Sequence, residues 1–378
     1  MTSRNRRTWA SLNLWVNIVS AMSLHPRSSR PLIDSKIRRT MPLLYRWYQQ
    51  HQRPLPWRTS PTPYHIAVSE FMCQQTRITT VLPYYKRWLR RFPSWSALAR
   101  APQSVVLRLW EGLGYYRRAR SLHALAKSVL QLPHRRLPSD PQKLLQLPGI
   151  GHYTAGAIAS IAFNVPTPAF DGNVARVLGR LLARGGCTPS LFELRAVAAA
   201  LVPRKNPGTH NQALMELGAL LCLPKNPLCP SCPLRSACPS RLRLPQRANP
   251  RPPPTPLREH ILVIRKKQSI WLTRQHPSNR WRGLHLLPTT PQPHPEARHI
   301  GRITYPFTRY KITASIDLLS RPPSGWRGKW HTPSQLSQAT LPAPHRKALA
   351  LLNQLGNLQN HHEGGSLPSR HQHVLACR

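Results

Sequence analysis

Fixed positive charge is the first constraint on what this chain can fold into. Lys and Arg number 55 against 11 Asp and Glu, a formal net charge of +44 in 378 residues. A compact state with that charge repels itself and draws polyanions. Yet 40% of the residues are hydrophobic, enough to close a sizeable core, which excludes a purely disordered polycation. At ~100–200 residues per domain, the length implies two or three domains. No run of ~20 apolar residues occurs, so no segment reads as a membrane span. Nucleic acid is the leading partner, with an anionic membrane surface as the alternative. Carboxylate chemistry has few residues to draw on: Asp34, Glu70, Glu111, Asp140, Asp171, Glu193, Glu216, Glu259, Glu296, Asp317 and Glu363.

Residues 1–40 hold many Arg and Ser and only one acid, and stand apart from the fold. They read either as a targeting segment or as an extension ahead of a start at Met22 or Met41. Residues 41–240 read as helices. Ile78, Val81, Leu82, Tyr85, Trp88 and Leu89 fall on one helical face, with Pro83 in the first turn or at a kink. Val174, Val177, Leu178, Leu181 and Leu182 repeat that spacing. Residues 241–258 form a basic, Pro-rich linker. Residues 259–356 change texture: 261–264, 270–272 and 312–319 read as strands and 344–355 as a closing helix. Residues 357–378 are expected to be a disordered tail.

Two patterns carry chemistry. The first is Cys222-x6-Cys229-x2-Cys232-x5-Cys238. Four thiolates on a short loop can ligate a [4Fe–4S] cluster or a structural zinc, and a single CxxC pair rather than two favours the cluster. The second is Leu147-Pro148-Gly149-Ile150-Gly151. Its glycines permit a tight turn between helices, and the helix starting at His152-Tyr153-Thr154 turns free N–H groups toward a phosphate. Asp171-Gly172-Asn173-Val174 follows close behind.

LPGIGHYTAGAIAS, FDGNVARVLGR and the cysteine loop together resemble the helix-hairpin-helix DNA glycosylases of the endonuclease III superfamily. Within it, SEFMCQQT (69–76), WEGLGYYRRARSLH (110–123) and NQALMELGALLC (211–222) resemble the MutY-type adenine glycosylases. The resemblance implies a mainly α fold: a helix-hairpin-helix glycosylase domain with a [4Fe–4S] loop, then a smaller α+β Nudix-like domain. It implies a monomer acting on duplex DNA holding adenine opposite 8-oxoguanine or guanine, in the cytoplasm with the nucleoid or in an organelle.

The resemblance also assigns roles. Glu70 matches the general acid that protonates adenine at N7; its apolar neighbours should keep it protonated. Asp171 matches the carboxylate that stabilises the cationic sugar; preceding a helix, it should stay ionised. A plain helix cap is its alternative role. Tyr153 stands where the bifunctional lyases carry a lysine, which implies base release without strand cleavage, and would orient water or Asp171. Asn173 would bond in the same pocket. Gln74, Gln75, Thr76, Tyr115, Gly149, Gly151 and Thr308 are the expected DNA contacts, with Gln75 filling the duplex gap and Tyr115 wedging beside the opposing base. Cys222, Cys229, Cys232 and Cys238 would hold the cluster. Phe307-Thr308-Arg309 replaces the family's Phe-Ser-His element, keeping the hydroxyl and exchanging imidazole for guanidinium.

Asp140, Glu111, Glu193 and Glu216 read as structural, and the 18 histidines as surface residues without chemistry. The rivals are another glycosylase of the superfamily, thymine-mismatch or endonuclease III-like, and a non-catalytic nucleic-acid-binding protein.

Overall fold

The computed structural model describes residues 35–183, 187–241, 252–278 and 280–362. Most of the expected N-terminal extension, the centre of the linker and the end of the tail lie outside the described residues. The helices are α1 (Ser35–His51), α2 (Pro56–Thr59), α3 (Pro63–Cys73), α4 (Ile78–Arg91), α5 (Trp95–Arg100), α6 (Gln103–Leu109), α7 (Arg117–Val129), α8 (Pro141–Leu145), α9 (His152–Phe163), α10 (Gly172–Leu181), α11 (Leu191–Leu201) and α12 (Pro207–Leu220). None among the described residues is long and apolar enough to cross a membrane. Helix α1 starts ahead of the expected boundary at 41 because Ile37 and Met41 both bury into the core. Pro83 lies inside α4, beyond its first turn, while Val81, Tyr85 and Trp88 bury as the periodicity predicts.

Packing divides the chain into two compact units. The first runs to Arg77 and includes Ser94–Ala99 and Ala124–Pro250. Its core joins Leu44 and Tyr48 of α1, Val174, Val177 and Leu178 of α10, and Leu214 and Leu217 of α12. Close approach has specific causes. A Cβ on Gly218 would meet the Cβ of Asn173 at 2.7 Å, so glycine there lets α12 lie against the start of α10.

The second unit groups Ile78–Pro93 and Arg100–His123 with the residues from Arg251 onward. The sequence placed those two segments with the other helices. The structure ties them to the C-terminal fold: Arg346 Nε lies 2.6 Å from Glu111, and the Tyr116 hydroxyl donates to Leu341 O at 3.3 Å. The strands are β1 (Thr255–Lys266), β2 (Ser269–Leu272), β3 (Thr289–Thr290), β4 (Arg298–Phe307), β5 (Tyr310–Leu319) and β6 (Lys329–His331), followed by α13 (Pro333–Gln338) and α14 (Ala343–His362). They form a mixed sheet, order β4-β5-β1-β2-β6, with β1 and β5 parallel. Strand β1 begins inside the expected linker, and α14 runs past the expected start of the tail. Strand β4 escaped the sequence reading. Gly301 and Pro306 weaken its pattern, and an edge strand with a bulge at His299/Gly301 tolerates both.

The histidine expectation is corrected. His123, His210 and His345 are buried. His345 accepts from Leu287 N at 2.9 Å, and burial pushes its imidazole down to about 3, so it packs as a neutral ring.

Candidate active site

The hairpin is built as its glycines require. Between α8 and α9, Gly149 takes φ +76° and Gly151 caps α9 through its backbone alone. A Cβ at Gly151 would meet nothing within 4 Å, so this turn is open to an approaching ligand. Helix α9 then carries Tyr153 toward α3 and α10.

Three side chains from those helices meet. The Tyr153 hydroxyl bonds the Glu70 carboxyl and donates toward Met215 Sδ at 3.3 Å. Tyr153 thus stands beside Glu70, with the Asp171 carboxyl also near. Glu70 is partly exposed as a residue, but its carboxyl is packed round by protein. Burial, opposed by the Tyr153 bond and helped by the nearby Asp171 charge, raises Glu70 to about 7. A group at that value is poised to donate a proton near neutrality.

Asp171 caps α10, accepting from Val174 N at 2.7 Å, so the plain cap role is present too. Asn173 Nδ2 donates to its other oxygen at 2.9 Å. Burial raises Asp171 above the ordinary carboxylate value, while these two bonds and the Arg176 charge pull it back. Full ionisation, expected from the helix start alone, is therefore opposed by burial. Arg176 completes the set: Nη2 donates to Asn173 Oδ1 at 2.8 Å and Nε to Cys222 O at 2.8 Å. Sequence reading passed over Arg176, although FDGNVARVLGR places it and Arg180 four apart, on one helical face.

The expected DNA contacts divide. Gln74 donates to Thr154 Oγ1 at 3.4 Å and Thr76 N to Cys73 O at 3.3 Å, so both brace the turn after α3. Gln75, between them, is exposed at φ +56°. Tyr115 is 53% exposed at φ +47°, and Thr308 is exposed at φ +52° on the two-residue turn between β4 and β5. Left-handed backbone at non-glycine residues costs about 1–3 kcal/mol and clusters at functional positions. The Tyr115 loop is held from beneath by the buried Arg118, which donates to Leu113 O at 3.0 Å and Gly114 O at 3.2 Å. Arg309 folds back, with Nη2 on the Tyr310 hydroxyl at 2.9 Å.

The four loop cysteines line one pocket with Arg180 and Arg241. Arg180 Nη1 lies 3.3 Å from Cys222 Sγ, and the Arg180 carbonyl accepts from Ser240 at 2.7 Å. Burial, with the neighbouring sulfurs, pushes Cys232 up to about 11 and raises Cys238 as well. Among the described residues no three thiols converge as one ion requires. Zinc needs that convergence, at ~2.3 Å from each sulfur, whereas an iron–sulfur cube takes its thiolates at separate corners.

Among the described residues, most of the remaining acids have structural partners. Asp140 caps α8, Glu193 forms a capping box with Ser190, and Glu111 pairs with Arg346. Glu216 lies 2.8 Å from both Arg53 and Arg58. In the sheet unit, Glu259 binds Arg280 and the Tyr305 hydroxyl, Asp317 is held by His260 and His299, and Glu296 is exposed.

Residues 68–199 match the HhH-GPD family, described as HhH-GPD superfamily base excision DNA repair protein. An adenine DNA glycosylase of Mus musculus is 36% identical over 336 residues, covering 82% of this chain and 63% of that protein. One of Mycolicibacterium smegmatis is 43% identical over 191 residues, covering 50% of this chain and 65% of that one. The chain thus spans less than two thirds of the length of these relatives. A solved thermostable thymine-DNA glycosylase superposes with TM-score 0.51 at 26% identity, covering 54% of this chain and 95% of its own. The hairpin, the carboxyl pair and these likenesses agree: residues 68–199 carry an HhH-GPD domain, and the chain is similar to the adenine DNA glycosylases of that superfamily.

Proposed function

We propose that the protein is a monofunctional DNA glycosylase that releases adenine from duplex DNA, with 8-oxoguanine or guanine as the opposing base. The observation that carries this is the pairing of Glu70, raised to about 7, with Asp171 across Tyr153. Cleaving an N-glycosidic bond to adenine needs a proton on the leaving base and a negative group near the developing sugar cation. Glu70 delivers its proton to adenine N7, and the glycosidic electron pair leaves with the base. Asp171, held by Val174 N and Asn173, stabilises the cation at C1′ until water adds there and loses a proton. Tyr153 has no amine to form a Schiff base, so the product is an abasic site with an intact strand.

The open hairpin at Gly149–Gly151 holds phosphate, while Gln75 and Tyr115 stand exposed for insertion into the stack. Thr308 offers its hydroxyl to the opposing base. Cys222, Cys229, Cys232 and Cys238 would hold a [4Fe–4S] cluster, which when bound supplies a cationic centre that ionises the thiols and fixes the loop. Action on DNA would put the protein with the nucleoid or an organellar genome.

The test is single-turnover base release from duplexes holding A opposite 8-oxoguanine, A opposite G, and T opposite G. Alkali-dependent breaks confined to the adenine duplexes are expected. Release of thymine would move the assignment to another branch of the superfamily. No release from any duplex, by protein with visible absorption near ~400 nm from its cluster, would leave a binding protein.

A further inference from the structure

The sheet unit carries a cavity that the proposed chemistry does not use. It measures about 710 Å³ and is lined by Trp271, Arg274, His276, Arg280, Trp326 and Arg327, among others. A second cavity of about 640 Å³ shares Arg274, Trp326 and Arg327 with it and adds Lys329 and His331. No carboxylate lines either, and the Phe307–Tyr310 hairpin contributes no residue.

Three features give this surface a chemical preference. The first is aromatic. Trp326 is 37% exposed, and its ring centroid lies 6.4 Å from that of Trp271. Gly328 brings the two together, since a Cβ there would stand 2.3 Å from the Trp271 ring. The second is cationic: Arg274, Arg327 and Lys329 enter no ion pair among the described residues, and the only partner of the Arg274 guanidinium there is a neutral ring, His285 Nε2, to which Nη2 donates at 3.1 Å. The third lies deeper. The Arg280 side chain is 10% exposed, and one nitrogen pairs with Glu259. Its Nη1 and the Nε2 of His276 are buried without a hydrogen-bond partner. Leaving such donors unmade costs about 1–3 kcal/mol each, so the wall behind the cavity carries unused donor capacity.

The exposed Trp326 ring, backed by the buried Trp271 and flanked by cations without a carboxylate partner, matches a nucleic acid strand with unpaired bases: a base face stacks and phosphates meet the guanidinium groups. An acidic peptide would use the cations but not the rings. Each cavity is of a size to hold one small ligand, and two that share a wall suit consecutive nucleotides better than a free one. We propose that this double cavity is a second nucleic-acid site, which binds single-stranded DNA over two or more nucleotides. It is independent of the glycosylase assignment.

The test uses the full chain and an oligothymidylate carrying photoreactive 5-iodouracil. Irradiation followed by mass spectrometry should place adducts on Trp326. Trp326→Ala and Arg327→Glu should each weaken oligothymidylate binding about tenfold at fixed salt. Arg327→Glu should also flatten the salt dependence by about one phosphate contact. Base release from blunt duplex holding A opposite 8-oxoguanine should be unchanged in both, with unfolding midpoints showing that each folds. Adducts confined to other residues, or undiminished binding in both folded variants, would overturn the site. Equal binding of thymidine monophosphate, or tighter binding of a polyglutamate peptide, would overturn the strand as its ligand. Loss of base release in the wild type would bear on the glycosylase assignment alone.

Discussion

Two glutamates in the same helical unit follow opposite courses. Glu216 on α12 and Glu70 on α3 are both closely surrounded by protein, and burial pushes both upward. Around Glu216, Arg53 and Arg58 at 2.8 Å outweigh burial and hold it down at about 2. Around Glu70 stand a phenol and a second carboxyl, and it rests at about 7. In a chain of +44, guanidinium groups reach Glu216 but, among the described residues, do not reach Glu70. In the sheet unit Glu259 also takes a guanidinium partner, Arg280, whereas Asp317 lies between two histidines.

Breaking each side of that contrast should give different losses. Glu70→Gln should cut single-turnover base release by about 10³-fold with duplex affinity kept, as general acids contribute on that scale. Asp171→Asn should do the same, measured by quench-flow and gel shift. Glu216→Gln should instead cost about 3 kcal/mol of stability, since it leaves two guanidinium groups without their partner, and should spare the rate per folded molecule. Urea titration checks the first part and active-site counting the second.

The stability windows also run in opposite directions. A carboxyl raised from 4.5 to about 7 binds its proton more tightly when folded, so that contribution is full below 4.5 and is lost as pH rises through 7. One lowered from 4.5 to about 2 contributes above 4.5 and loses that as pH falls through 2. Between pH 5 and 8 the wild type should therefore lose roughly 2 kcal/mol that Glu70→Gln does not lose. The smallest expected effect belongs to Tyr153→Phe. It removes a bond that lowers Glu70, so the alkaline limb of the rate profile should move to higher pH with the maximal rate falling only a few-fold.

What the sequence disclosed depended on how locally each feature is encoded. The hairpin, the Asp171 cap and the cysteine spacing are contiguous, and their residue types have few other uses in that order. Helix faces such as Val81, Tyr85 and Trp88 repeat within one element and were equally plain. The Arg53–Arg58–Glu216 cluster joins residues more than 150 positions apart, so it became visible only when α12 packed beside the loop after α1. Arg176 bonds Asn173 nearby in sequence but also Gly218 O and Cys222 O across the fold, which no local pattern encodes. The buried His345 lies in a helix whose partners come from a distant loop. Strand β4 was hidden by residues that only an edge position tolerates.

The central claim is that Glu70 is the acid and is neutral when the reaction begins. The most direct test is the single-turnover rate of adenine release against pH, for the wild type and Glu70→Gln. The wild type should hold its rate up to about 7 and then fall tenfold per pH unit, while the slow residual rate of Glu70→Gln shows no such limb. A wild-type rate that stays level to pH 9, or the same limb persisting in Glu70→Gln, would contradict it.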